Sequence, residues 1–113
     1  LPACAAPMKT KPLGMVTGPE TGTYIQIGRD IAGFAKKAGI PIEVKPSLGS
    51  IDNIRRMSTR TENAGLGLVQ SDVLGFLKRS QSAESQSIAS KLRMIAPLYA
   101  EEVHLLARTE ITR

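Results

Sequence analysis

The apolar residues of this chain switch repeatedly between a strand period and a helix period, and few folds accept that alternation. A short β-prone run from Leu13 to Thr17 ends at Gly18-Pro19. Apolar residues then recur at spacings of three and four, at Tyr24, Ile27, Ile31, Phe34 and Ala38. Gln26, Arg29, Asp30, Lys36 and Lys37 fall between them, so the segment reads as an amphipathic helix. Gly39 followed by Pro41 stops it. Ile40, Ile42 and Val44 then alternate with Pro41, Glu43 and Lys45, the period of a strand.

Past Pro46, Ser50 is a credible N-cap for a second helix carrying Ile51, Ile54 and Met57. "AGLGLVQ" is a small-residue apolar run of strand length, as expected of a strand buried on both faces. "SDVLGFLKR" predicts a short third helix capped by Ser71 or Asp72. "SQSAESQSIAS", five of whose eleven residues are Ser, reads as a polar loop. "LRMIAPLYA" and "EVHLLAR" close the chain as two more strands. The order β-α-β-α-β-α-β-β predicts the α/β class: a mostly parallel sheet with helices on both faces and right-handed crossovers.

At 113 residues there is room for one small domain with a core. With no Trp and only two Tyr and two Phe, that core must be aliphatic. Residues 1–12 hold three Pro and no periodicity, which reads as a leader remnant or linker ahead of a domain over 13–113. The small residues of "LPACAAP" resemble the end of a secretory signal peptide, and Cys4 stands where a lipoprotein would carry its anchor. A single Cys allows neither an internal disulfide nor a multi-cysteine metal site. The net charge of +5 is scattered over helix surfaces with few aromatics to stack on bases, so nucleic acid is not the expected partner.

The segment "VTGPETGTYIQIGRDI" has the outline of a phosphate loop but not its chemistry. Gly18 and Gly22 are separated by three residues rather than four, and Thr23 stands where Lys is required. The spacing of Gly18, Gly22 and Gly28 also fails the dinucleotide pattern. What remains is a helix start with free N–H groups, the hydroxyls of Thr21 and Thr23 and the phenol of Tyr24, a setting that attracts anions. Gly49 and Ser50 open the second helix in the same way, although capping alone accounts for Ser50, and Asn53 one turn on can reach a ligand or bond backbone. Gln70, Ser71 and Asp72 then follow a buried strand, at the edge where open α/β sheets bind ligands. A cap needs one of them, not three. Tyr99 joins the same rim if its strand is parallel to the others.

No enzyme constellation accompanies these residues. His104 lies in an apolar strand pattern, and Glu101 and Glu102 would point to opposite faces of a strand. No Ser sits in a G-x-S-x-G elbow. Neither a cofactor nor a metal is expected.

"TGTYIQIGRDIA", "PSLGSIDNIRRM", "AGLGLVQSDV" and "LRMIAPLYAEEVHLLAR", in that order, resemble the TAXI family of TRAP-transporter solute receptors over nearly the whole chain. The resemblance implies a periplasmic-binding-protein-like (type II) lobe, the N-terminal one of two, incomplete here. It implies an exported periplasmic receptor that delivers a small carboxylate or amino acid to a TRAP-type membrane permease. It places ligand contacts at Thr23, Tyr24, Ser50, Gln70, Ser71, Asp72 and Tyr99. Two departures stand out: Glu20 is an awkward neighbour for an anion, and Ile25 replaces an aromatic residue that often follows the Tyr and would shape the pocket wall. The segment that completes such a lobe is missing from the resemblance, which leaves an apolar sheet edge that a homodimer or strand exchange would cover. A nucleotide-dependent enzyme lacks its phosphate loop. A protein-interaction domain using the exposed edge is the alternative to a receptor lobe.

Overall fold

The computed structural model describes residues 11–102 and 104–112. The segment read as a leader remnant or linker, including Cys4, lies outside the described residues except for Lys11 and Pro12. Three parallel strands, β1 (Leu13–Val16), β2 (Ile42–Lys45) and β3 (Leu66–Gly67), form a sheet in the order β2-β1-β3. Helices α1 (Thr23–Lys37) and α2 (Ser50–Thr59) make the crossovers, and α3 (Ser71–Arg79), α4 (Ala83–Lys91) and the short α5 (Thr109–Thr112) follow β3. This is the expected α/β lobe, incomplete in its sheet.

Register explains how both faces are covered. Leu13, Met15 and Val16 pair with Ile42, Val44 and Lys45 on one side, and Val16 pairs with Gly67 on the other. Successive strand residues point to opposite faces. On the face of Met15 and Thr17 lies Gly28 of α1, so close that an added Cβ would stand 2.5 Å from the Thr17 methyl. On the face of Val16 lies Met57 of α2, whose sulfur sits over Gly67. The chain runs from β1 to one neighbour and then back across to the other, so right-handed crossovers put the two helices on opposite faces. Met15, Val16, Ile25, Ile54, Ala64 and Leu68 are buried between them.

The stripe that α1 turns to the sheet differs from the expected one. Ile25 and Gly28 are buried and Ile31, Ala32 and Ala35 half-buried, whereas Phe34 is exposed beneath the Lys37 ammonium, 5.4 Å from the ring centre. Gly28 decides this, because the side without a side chain approaches the strands most closely. Ile25 therefore lies in the core and forms no pocket wall. In α2, Ile54 is buried while Ile51 is exposed.

Two further expectations are corrected. The Ser-rich segment is a helix, α4, capped by Ser82, whose hydroxyl accepts from the Ser85 N–H. Ser85, Ile88, Ala89 and Leu92 face inward at helical spacing, and the polar Ser85 within that stripe hid the periodicity. The two closing strands do not form among the described residues. Pro97 deprives the first of a ladder N–H, and β3 pairs over only two residues, a short template for a fourth strand. Met94, Ile95, Leu98, Leu105 and Leu106 are consequently exposed. His104 is exposed too, with Nε2 3.3 Å from a Glu102 carboxylate oxygen.

Candidate functional site

Parallel strands end on the same side, so the loops after β1 and β3 leave the sheet together. Asn53, one turn into α2 and fully buried, fixes their spacing. Its Nδ2 donates to the carbonyls of Thr17 and Leu68, both at 2.7 Å, tying the two strand ends to one helix. Its buried Oδ1 accepts from no group among the described residues. Of the two roles open to Asn53 in the sequence, backbone bonding is the one observed. Thr17 adds a second tie by donating its hydroxyl to the Lys45 carbonyl at 2.8 Å.

Three helix starts meet at this end of the sheet. The N-cap residues of α1, α2 and α3 are Gly22, Gly49 and Gln70, and none supplies a side-chain cap. Gly49 holds φ +122, a conformation that an L side chain adopts with strain. Ser50 is not the cap of α2: it is the first helical residue, and its hydroxyl accepts from the Gln70 N–H at 2.9 Å, stitching the start of α2 to that of α3. Neither Ser71 nor Asp72 caps α3, since the helix already begins at Ser71.

An open cleft of ≈ 660 Å³ lies over these starts. Thr23, Tyr24, Ser50, Gln70 and Tyr99 line it, together with Pro19, Gly22, Gly49, Ala100, Glu101 and Glu102. Ser71 and Asp72 do not line it; both are exposed on the first turn of α3. Tyr99 reaches the rim without the fourth strand, carried by the irregular segment after α4. Glu20 bonds Arg29 at 2.9 Å and is absent from the lining.

The residue missed by sequence reasoning is Glu101. Its carboxylate accepts from Gln70 Nε2 at 2.6 Å and from the Tyr99 hydroxyl at 3.2 Å. Outside a strand, Glu101 and Glu102 need not diverge, and both line the cleft. The hydrogen bond from Gln70, with further help from Tyr24 and Tyr99, holds the Glu101 carboxyl below its usual range. Burial, then the neighbouring Glu101 carboxylate, pushes the Tyr24 phenol up to about 12. Burial and Glu101 also raise Tyr99. Pro97 was the available signal: a strand broken there frees the following polar residues to turn inward.

Among the described residues no Lys or Arg lines the cleft. Its donors are neutral, namely an amide, phenols, hydroxyls and helix N–H groups, which suit a small polar or anionic group held by hydrogen bonds. Among the described residues no cluster of His, Cys, Asp and Glu is arranged to hold a metal ion, and no helix is long and apolar enough to cross a membrane. A family model described as the NMT1-like family matches residues 15–113. No curated protein and no solved structure is detectably similar to the chain.

Proposed function

Since the chain belongs to the NMT1-like family, whose members are periplasmic-binding-protein-like, we propose that it is the N-terminal lobe of an exported solute receptor. The lobe covers residues 13–113, after a leader remnant or linker over 1–12, and captures a small carboxylate or amino acid for a TRAP-type permease of the TAXI kind. The family is one of binding proteins rather than enzymes. The observation that carries the ligand class is the meeting of three helix starts without side-chain caps at one cleft, beside Gln70, Tyr24 and Tyr99. Helix N-termini favour negative charge. By contrast α4, whose residues do not line the cleft, has its Ser82 cap. A two-lobed receptor closes on its ligand from both sides, and this chain supplies one wall. Its own affinity for such ligands is therefore expected at about millimolar or weaker.

Intrinsic fluorescence tests this directly, because there is no Trp and both Tyr line the cleft. A panel of small carboxylates and amino acids should alter tyrosine emission, while ATP and NAD should not. A response to the nucleotides alone would overturn the reading. The second reading, a protein-interaction domain, rests on the exposed Met94, Ile95, Leu98, Leu105 and Leu106. It expects concentration-dependent association and no small-molecule response.

A further inference from the structure

The cleft contains a carboxylate already, and it belongs to the chain. Glu101 lies 31 positions beyond Gln70, yet its Oε2 accepts the shortest side-chain bond at the site, 2.6 Å from Gln70 Nε2. Its other oxygen takes the Tyr99 hydroxyl at 3.2 Å. The segment that delivers it, from Arg93 to Arg108, has no helix or strand among its described residues. Apart from Glu101, Tyr99 and Ala100, which line the cleft with Glu102, the segment carries exposed apolar residues such as Ile95 and Leu105. An irregular segment of this kind forms few backbone bonds that would resist its withdrawal.

We propose that the Glu101 carboxylate is an internal occupant of the carboxylate position in this cleft, so that the segment around Tyr99–Glu102 is a displaceable strap competing with ligand. The inference rests on the receptor-lobe reading above. While the strap is seated, Gln70 Nε2 is already engaged, and a second carboxylate meets Glu101 and Glu102 with no Lys or Arg among the described lining residues to offset them. Glu102 has its own neighbour in His104, which leaves Glu101 as the carboxylate on the donors. Release of the strap removes the Glu101 and Glu102 carboxylates from the cleft and frees an amide donor in the same movement. A strap seated nine-tenths of the time weakens capture about tenfold.

Succinate is the probe, titrated into the 113-residue chain and its Glu101→Ala and Glu101→Gln variants. The side-chain amide resonances of Gln70 are followed by NMR. Glu101→Ala should shift those resonances without added ligand and should bind succinate about tenfold more tightly than the unaltered chain. Glu101→Gln keeps a hydrogen-bonding partner but loses the charge, and should fall between the two. Unchanged Gln70 resonances in Glu101→Ala would show that the carboxylate is not seated there. Equal succinate affinity in all three proteins would overturn the competition and leave the receptor reading intact. If the Gln70 resonances move with the substitution but no protein binds succinate, carboxylate capture by this lobe fails, and the strap proposal with it.

Discussion

Asn53 shows how a single side chain sets the geometry of the cleft before any ligand is considered. Replacing it with Leu keeps the branched shape but leaves the Thr17 and Leu68 carbonyls without their amide donor in a buried setting. Each unsatisfied acceptor costs about 1–3 kcal/mol, so urea unfolding of Asn53→Leu should show a loss of about 2–6 kcal/mol. A loss confined to tenths of a kcal/mol would mean that the strand ends are held by other bonds. Tyr24 offers a second test at this scale, with its phenol pushed up to about 12. A raised value means that the folded chain keeps its proton where the unfolded chain has lost it. The associated stability is present below pH 10.0 and declines as pH rises towards about 12. Absorbance of ionised tyrosine should detect this late titration, and Glu101→Ala should bring it only part of the way back, because burial is the larger cause. The sequence marked Thr23, Tyr24, Ser50, Gln70 and Tyr99 as polar residues at strand ends or helix starts, and those five do line one cleft. Ser71 and Asp72 carried the same signal but fall outside it, since a helical turn moves side chains around an axis that composition does not reveal. Glu101 was passed over because a strand would set it and Glu102 on opposite faces, and that strand, interrupted at Pro97, does not form among the described residues.

Among the elements, α1 contains two glycines with opposite consequences. At Gly28 a Cβ would stand 2.5 Å from the Thr17 methyl and 3.4 Å from Val44, so Gly28→Ala must lift the helix or displace the strand. Such overpacking costs about 1–3 kcal/mol. Nothing lies within 4 Å of the corresponding position at Gly33, where Ala should stabilise by about 0.5–1 kcal/mol through helix propensity alone. Thermal melts of the two variants should therefore move in opposite directions, and equal shifts would deny that α1 packs through Gly28. The same contact explains why apolar periodicity found the helix but chose the wrong stripe: a glycine counts as nothing in an apolar tally, yet here it is the point of closest approach. Elements with a continuous stripe and a clear stop were legible, as with Gly39 after α1, whose φ of +80 ends the helix where the sequence expects. α4 was not legible, because its buried face has only Ile88, Ala89 and Leu92 as apolar members. Its Ser82 cap, three residues before the Ser85 N–H it accepts, was the better clue.

For the molecule as a whole, the radius of gyration is 17.9 Å with a long axis of 74 Å. A compact chain of this length would have a radius of about 13 Å. The excess matches the exposure of the segment after α4, where Leu105 and Leu106 are almost fully open to solvent. Among the described residues the outer strand β3 is only two residues long, so that edge of the sheet gives the segment little to pair with. Amide hydrogen exchange should therefore divide the chain. Amides bonded within β1, α1, β2 and α2 should exchange only through unfolding of the sheet, whereas residues 93–98 and 104–108 should exchange at rates close to those of an unfolded chain. Residues 99–102 should show slightly greater protection, because Gln70 holds Glu101. If a second copy covers the exposed apolar side chains, protection at 93–98 and 104–108 must rise with protein concentration, and sedimentation must report the same association. Protection that is strong at every concentration would mean that the segment packs on its own lobe in solution, and the apolar surface would then no longer be available to a partner.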